Sequence, residues 1–154
     1  MKVIFLDIDG VLNSYTTRAR SPMGFIGIDA SILQIFKKVV DVTDAKIVLT
    51  SAWQAGYEND RELCDEDGRY MVDALNSIGA KIINKTGFSN REDRGVKTYL
   101  LNHKDIESWV VVDDSRFPGF DKEPIVSRFV NTDYETGMTE EDAKKIIYIL
   151  NRKE

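Results

Sequence analysis

The chain has 154 residues, 42% hydrophobic and 31% charged, a length that suits one domain spanning 1–154 and, with no long apolar run, excludes a membrane-spanning segment. Its net charge of −5 argues against holding nucleic acid through a broadly basic surface, while leaving room for a local patch that guides a phosphorylated substrate. A single Cys64 can close no internal disulfide and build no thiolate metal site, so it reads as incidental, and with no secretory signal at the N-terminus a cytoplasmic protein is expected.

Lys2–Leu6 is a short, almost continuous apolar run, the pattern of a central strand buried on both faces of a parallel sheet. It delivers Asp7 and Asp9 to the strand's C-terminal end, and Gly10 lets the chain turn immediately afterwards. Two acids at the mouth of an apolar strand repel one another unless a cation or a hydrogen-bond network offsets them, which points to a metal. Ser14–Gly27 is rich in Ser, Thr, Arg, Gly and Pro and predicts a surface loop carrying Arg18 and Arg20, either of which could meet an incoming phosphate.

Asp29 reads as the N-cap of a helix over Ala30–Val40, whose apolar residues recur at helical spacing. Lys46–Thr50 predicts a second parallel strand ending in the hydroxyls of Thr50 and Ser51. Residues 54–70 read as a loop with at most short helical pieces, followed by a helix near Tyr70–Ser77 that Gly79 ends. A strand over Lys81–Asn84, a helix over Arg91–Asn102 and a buried strand over Trp109–Asp113 follow, the last leaving Asp113 and Asp114 at its end. A strand near Ile125–Asn131 and a helix over Thr139–Leu150, opened by a capping-box pattern with Asp142 in the partner position, complete the chain. This alternation predicts a Rossmann-like, three-layer doubly wound α/β fold on a parallel sheet.

Three strands thus end in Asp7 with Asp9, Thr50 with Ser51, and Asp113 with Asp114, and a parallel sheet gathers such ends on one edge. Magnesium takes hard oxygen ligands, commonly carboxylates with phosphate and water, and this set supplies them without the lone His103.

Asp7-Ile-Asp9-Gly10-Val11-Leu12, the strand-ending Thr50-Ser51, a basic residue opening a later helix and Val112-Asp113-Asp114 stand in the order of the haloacid dehalogenase-like (HAD) superfamily, and the chain resembles its phosphatases over almost its whole length. More narrowly, Phe5–Asn13, Val48–Trp53, Val130–Thr132 and Gly137–Thr139 resemble the HAD domain associated with Swiss Army Knife RNA repair proteins. The chain departs from that narrower pattern at Gln54, where a basic residue is expected, and at Lys97, where an acidic one is.

The resemblance implies that Asp7 is the nucleophile and that Asp9 protonates the leaving oxygen and then activates water. It implies Mg2+ on the Asp7 carboxylate, the Asp9 backbone carbonyl and the Asp113 carboxylate, with Asp114 sharing the metal through water or orienting its neighbours. Thr50, backed by Ser51, would bind phosphate oxygens, with Gly10 and Arg18 as further substrate contacts, and Lys97 or Arg94 would stabilise the transferring charge. Lys97 is the first choice by chemical type; Arg94 matches the narrower family's position. The stretch from Trp53 to Arg94 is too short for a large cap domain, so an open site is expected, suited to a nucleic-acid 3′-phosphate end. A 5′(3′)-nucleotidase or other small-molecule phosphatase is the enzymatic alternative, and a receiver-like or metal-binding module the non-enzymatic one. The sequence leaves the oligomeric state open.

Overall fold

The computed structural model describes residues 1–88 and 92–152. Among the described residues, five parallel strands, β1 (Lys2–Leu6), β2 (Lys46–Leu49), β3 (Ile82–Lys85), β4 (Ser108–Asp113) and β5 (Phe129–Asn131), form one sheet in the order β3-β2-β1-β4-β5. The helices are α1 (Ala30–Thr43), α2 (Glu66–Asn76), α3 (Val96–Asn102) and α4 (Glu140–Asn151). Among the described residues, no helix is long and apolar enough to cross a membrane.

The continuous apolar run of β1 has a two-sided explanation. Ile4 and Leu6 join Ile47, Leu49, Val110 and Val112 in the larger core, which α1, α2 and α4 cover. Val3 and Phe5 point the other way, into a smaller core with Val48, Val111, Val96 and Tyr99 of α3, and Phe117 and Ile125. Both faces of the central strand are dry, so no polar alternation survives in its sequence, and each buried aliphatic side chain stabilises the fold by about 1.5–3 kcal/mol.

The expected three-layer doubly wound fold is present, and among the described residues no large cap interrupts it. From β1 the chain builds outward through β2 to β3, then crosses back to place β4 on the other side of β1. This reversal opens a crevice beyond the carboxyl ends of β1 and β4, where Leu6 is in register with Val112.

Several element boundaries differ from the sequence expectation. Helix α2 begins at Glu66, not Tyr70: the Asp65 carboxylate accepts from the Gly68 N–H at 2.7 Å, and Glu66 and Asp67 occupy a first turn where the helix dipole favours acids, overriding the helix-weakening glycine. Short 3₁₀ turns at Ala52–Gly56 and Arg61–Leu63 punctuate the expected loop. The helix expected over Arg91–Asn102 starts only at Val96, because Asp93, Arg94 and Gly95 all take positive φ; Arg91 lies outside the described residues. Strand β5 is confined to Phe129–Asn131, after a 3₁₀ turn at Val126–Arg128. The capping box of α4 forms as read, with Thr139 and Asp142 each bonding the other's backbone N–H.

Candidate active site

The end of β1 is tied to both neighbouring strands. The Asp7 N–H donates to Val112 O at 3.0 Å on β4, and the Thr50 N–H, just after β2, donates to Leu6 O at 3.2 Å. Strand pairing therefore brings Asp7, buried Thr50 and the acids following β4 to one edge. Carboxylate oxygens of Asp7, Asp113 and Asp114 lie within 4.8 Å of one another.

These acids are poorly solvated as well as close. Burial, then the charge of Asp113, then a hydrogen bond with the Asp114 carboxyl push the Asp7 carboxyl up from its ordinary 3.8 to about 9. Asp114 is also raised, first by burial. Asp113, only 1% exposed, is better supplied: Ser115 N–H donates to its Oδ1 at 2.8 Å and Arg94 Nε to its Oδ2 at 3.1 Å.

Arg94 gets there by an unusual backbone route. Asp93 (φ 48°) and Arg94 (φ 59°) are non-glycine residues in the left-handed region, followed by Gly95 at φ 77°. Such residues cost about 1–3 kcal/mol each and persist where packing holds them. Here Asp93 is buried and its N–H donates to Pro118 O at 2.8 Å, while the Arg94 guanidinium lies over the Phe117 ring, 5.4 Å from its centroid. Lys97 instead sits 3.8 Å from Asp93 Oδ2, with its side chain 42% exposed, so of the two candidate bases Arg94 is the one in contact with the acid cluster.

Asp9 stands apart from the three clustered carboxylates. It is exposed, and its Oδ1 accepts from Asn13 Nδ2 at 3.0 Å and Trp53 Nε1 at 3.2 Å. Asn13 is fully buried and serves both sides of the turn: its Oδ1 accepts from Gly10 N–H at 2.8 Å and its Nδ2 also donates to Gly27 O at 3.0 Å. Thr132 Oγ1 donates to Gly10 O at 2.7 Å, pinning the turn from the segment after β5. Gly10 has φ 77°, and a Cβ there would fall 2.1 Å from Asp114 Oδ2, so only glycine lets Asp114 close over the turn.

Ser51 is buried and its Oγ accepts from Trp53 N–H at 3.3 Å, shaping the turn that delivers the indole to Asp9. Arg18 lies exposed on the 14–27 loop, and Arg20 bonds Thr17 O and Ala19 O within that loop. Gln54 is fully buried and its Oε1 accepts from Gly87 N–H at 2.6 Å, holding the loop after β3. His103 caps the end of α3, with Nδ1 2.8 Å from Tyr99 O and its ring stacked on Tyr99. Asn13, Trp53 and Thr132 are the positioning residues that the sequence reading left without a role. Asn13 carried one signal, a side-chain amide four residues beyond Asp9.

Three clustered carboxyl groups against one guanidinium resist ionising together, a resistance that a hard divalent cation relieves, and all the donors are oxygens of the kind Mg2+ takes. A doubly wound parallel sheet with an Asp-Ile-Asp-Gly turn after its central strand, facing paired aspartates at the topological switch, defines a HAD-like domain. The chain belongs to the family described as the HAD domain in Swiss Army Knife RNA repair proteins, which matches it over residues 3–143. That membership supports a phosphatase-type hydrolase in general terms. No curated protein and no solved structure matches the chain.

Proposed function

We propose that the protein is a Mg2+-dependent phosphomonoester hydrolase that forms an aspartyl-phosphate on Asp7 and acts on phosphorylated nucleic-acid 3′ ends. The observation that carries this reading is the difference in environment between the two turn acids. Asp7 lies buried among Asp113 and Asp114, while Asp9, two residues on, is exposed and held by Asn13 and Trp53.

In the first half-reaction an Asp7 oxygen attacks phosphorus in line, the bond from phosphorus to the leaving oxygen breaks, and Asp9 gives that oxygen its proton. In the second, Asp9 takes a proton from water, the water oxygen attacks phosphorus, and the Asp7–phosphorus bond breaks to release inorganic phosphate. Asp7, Asp113 and Asp114 would hold Mg2+, whose charge offsets that of the acids and of the bound phosphate. The Asp9 backbone carbonyl is the remaining protein ligand in this reading. Arg94 stabilises charge from the Asp113 side, and Thr50 with the Ser51 amide binds phosphoryl oxygens.

The 3′-end substrate is supported by the family's association with RNA repair and by the absence of a large cap among the described residues. The test is phosphate release with Mg2+ from 3′- and 5′-phosphorylated oligonucleotides, mononucleotides and sugar phosphates, with Asp7→Asn as the control. Release from 3′-phosphorylated ends that Asp7→Asn abolishes is the expected result. No turnover of any ester would overturn the hydrolase reading, and a preference for mononucleotides of about tenfold or more would replace the end-repair reading with a nucleotidase.

A further inference from the structure

We propose that the cleft between Trp53 and the 21–25 loop is a nucleobase site, which stacks the base of the nucleoside whose phosphate Asp7 attacks. This rests on the phosphatase reading above and extends it to the leaving group.

The cleft, of about 240 Å3, is lined by Met23, Phe25 and Trp53, with Asp9, Asp65 and Asp67 among its polar residues. Asp9 makes it continuous with the reaction centre. The group that protonates the leaving oxygen must face the leaving group, so whatever carries the phosphate extends from Asp9, and this mostly apolar cleft opens there.

The apolar side chains are exposed on a loop braced by hydrogen bonds. Met23 is 56% and Phe25 63% exposed, yet their loop is closed by Ser21 N–H to Phe25 O at 2.8 Å and Phe25 N–H to Ser21 Oγ at 3.1 Å. Asp67 clamps it from the first turn of α2, accepting from Ser21 Oγ at 2.9 Å and Met23 N–H at 3.0 Å. Opposite, Trp53 stacks on Tyr70 with ring centroids 6.5 Å apart and planes 29° apart, and the Tyr70 hydroxyl accepts from Ile28 N–H at 3.0 Å. Two aromatic residues presented at a rigid opening beside a catalytic acid suit a planar ring, because every base has a face that stacks on an aromatic side chain. The carboxylates of Asp65 and Asp67 repel further phosphates from the cleft and favour the amino-bearing edge of a base.

Two measurements on the full chain test this. First, hydrolysis is compared for one oligoribonucleotide ending in a 3′-phosphorylated adenosine and the same oligonucleotide whose last residue is abasic, with adenosine 3′-monophosphate as a third arm to separate a chain end from a free nucleotide. The base is expected to raise kcat/KM about tenfold, equivalent to about 1.4 kcal/mol. Phe25→Ala is expected to erase that ratio and Phe25→Tyr to keep it. Second, the Asp7→Asn variant is titrated with adenosine while tryptophan fluorescence is followed. Saturable quenching that Phe25→Ala removes is expected. Turnover with equal kcat/KM for the adenosine and abasic ends, or quenching that persists in Phe25→Ala, overturns the base site while leaving the phosphatase reading intact. Quenching as expected without turnover of any ester overturns the phosphatase reading and retains the base site.

Discussion

Arg94 Nε lies 3.1 Å from Asp113 Oδ2, and this contact carries a cation from the segment before α3 to the acid cluster at the end of β4. The contact depends on a left-handed backbone that a helix beginning at Arg91 could not supply. Arg94→Ala is expected to lower kcat by about 100-fold, in the range found when a charge-stabilising donor is removed, and Lys97→Ala by much less. Steady-state kinetics on the two variants check the assignment, and a larger loss in Lys97→Ala would reverse it.

The same backbone separates stability from activity. Glycine adopts the Arg94 conformation without strain, so Arg94→Gly is expected to be more stable than Arg94→Ala by about 1 kcal/mol and no more active. Urea unfolding of both variants measures the difference. Equal midpoints would show that the conformation at this position is not strained.

Gly10→Ala places a methyl group within the space of the Asp114 carboxylate and imposes a positive φ on a residue with a side chain. Asp114 must move, and the Asp7 cluster opens with it. Mg2+ binding, followed by calorimetry, and phosphate release are both expected to fall at least about tenfold, the scale on which displaced metal-site groups act.

The Asp7 carboxyl, pushed up to about 9 when no cation is bound, makes the fold sensitive to pH in a defined direction. Its proton affinity is higher folded than unfolded, so its neutral form contributes stability at acid pH that is lost as pH rises from the ordinary 3.8 toward 9. In thermal melts with EDTA, wild type is expected to lose stability relative to Asp7→Asn between pH 5 and pH 8. Mg2+ is expected to raise the wild-type Tm more at pH 8 than at pH 5, and a larger gain at pH 5 would contradict the charge balance described for the cluster.

Asn13 is fully buried and bonds Gly10, Asp9 and Gly27. Asn13→Ala strands the Gly10 N–H and the Gly27 carbonyl and leaves Asp9 with its Trp53 contact, with an expected loss of about 2 kcal/mol of stability or more. If Asn13 also positions Asp9 for proton transfer, kcat falls while KM changes little. A KM effect alone would leave Asn13 a purely structural residue.

The residues that close on the cluster were legible to different degrees. Asp7, Asp113 and Asp114 could be placed together from sequence because buried parallel strands announce themselves as unbroken apolar runs, and strands in parallel register must end on one edge. On a regular helix either Lys97 or Arg94 could reach the site, and residue type favours Lys97. Contact with Asp113 instead follows from the positive-φ run at Asp93–Gly95, which is held by the Pro118 carbonyl and by packing against Phe117, neither of which has a local signature.

Local pattern suffices for the sheet strands and the Asp-Ile-Asp-Gly turn, because hydrophobic periodicity and a turn glycine act over a few neighbouring residues, and the order of the motifs carries the family resemblance. Long-range packing sets which cation meets Asp113, brings Asn13 and Trp53 to Asp9, and places Phe25, on a surface loop, with Trp53 in the lining of one cleft. Those relationships join residues far apart in the chain, and they exist only once the sheet and the helices packed on it have set the distances between them.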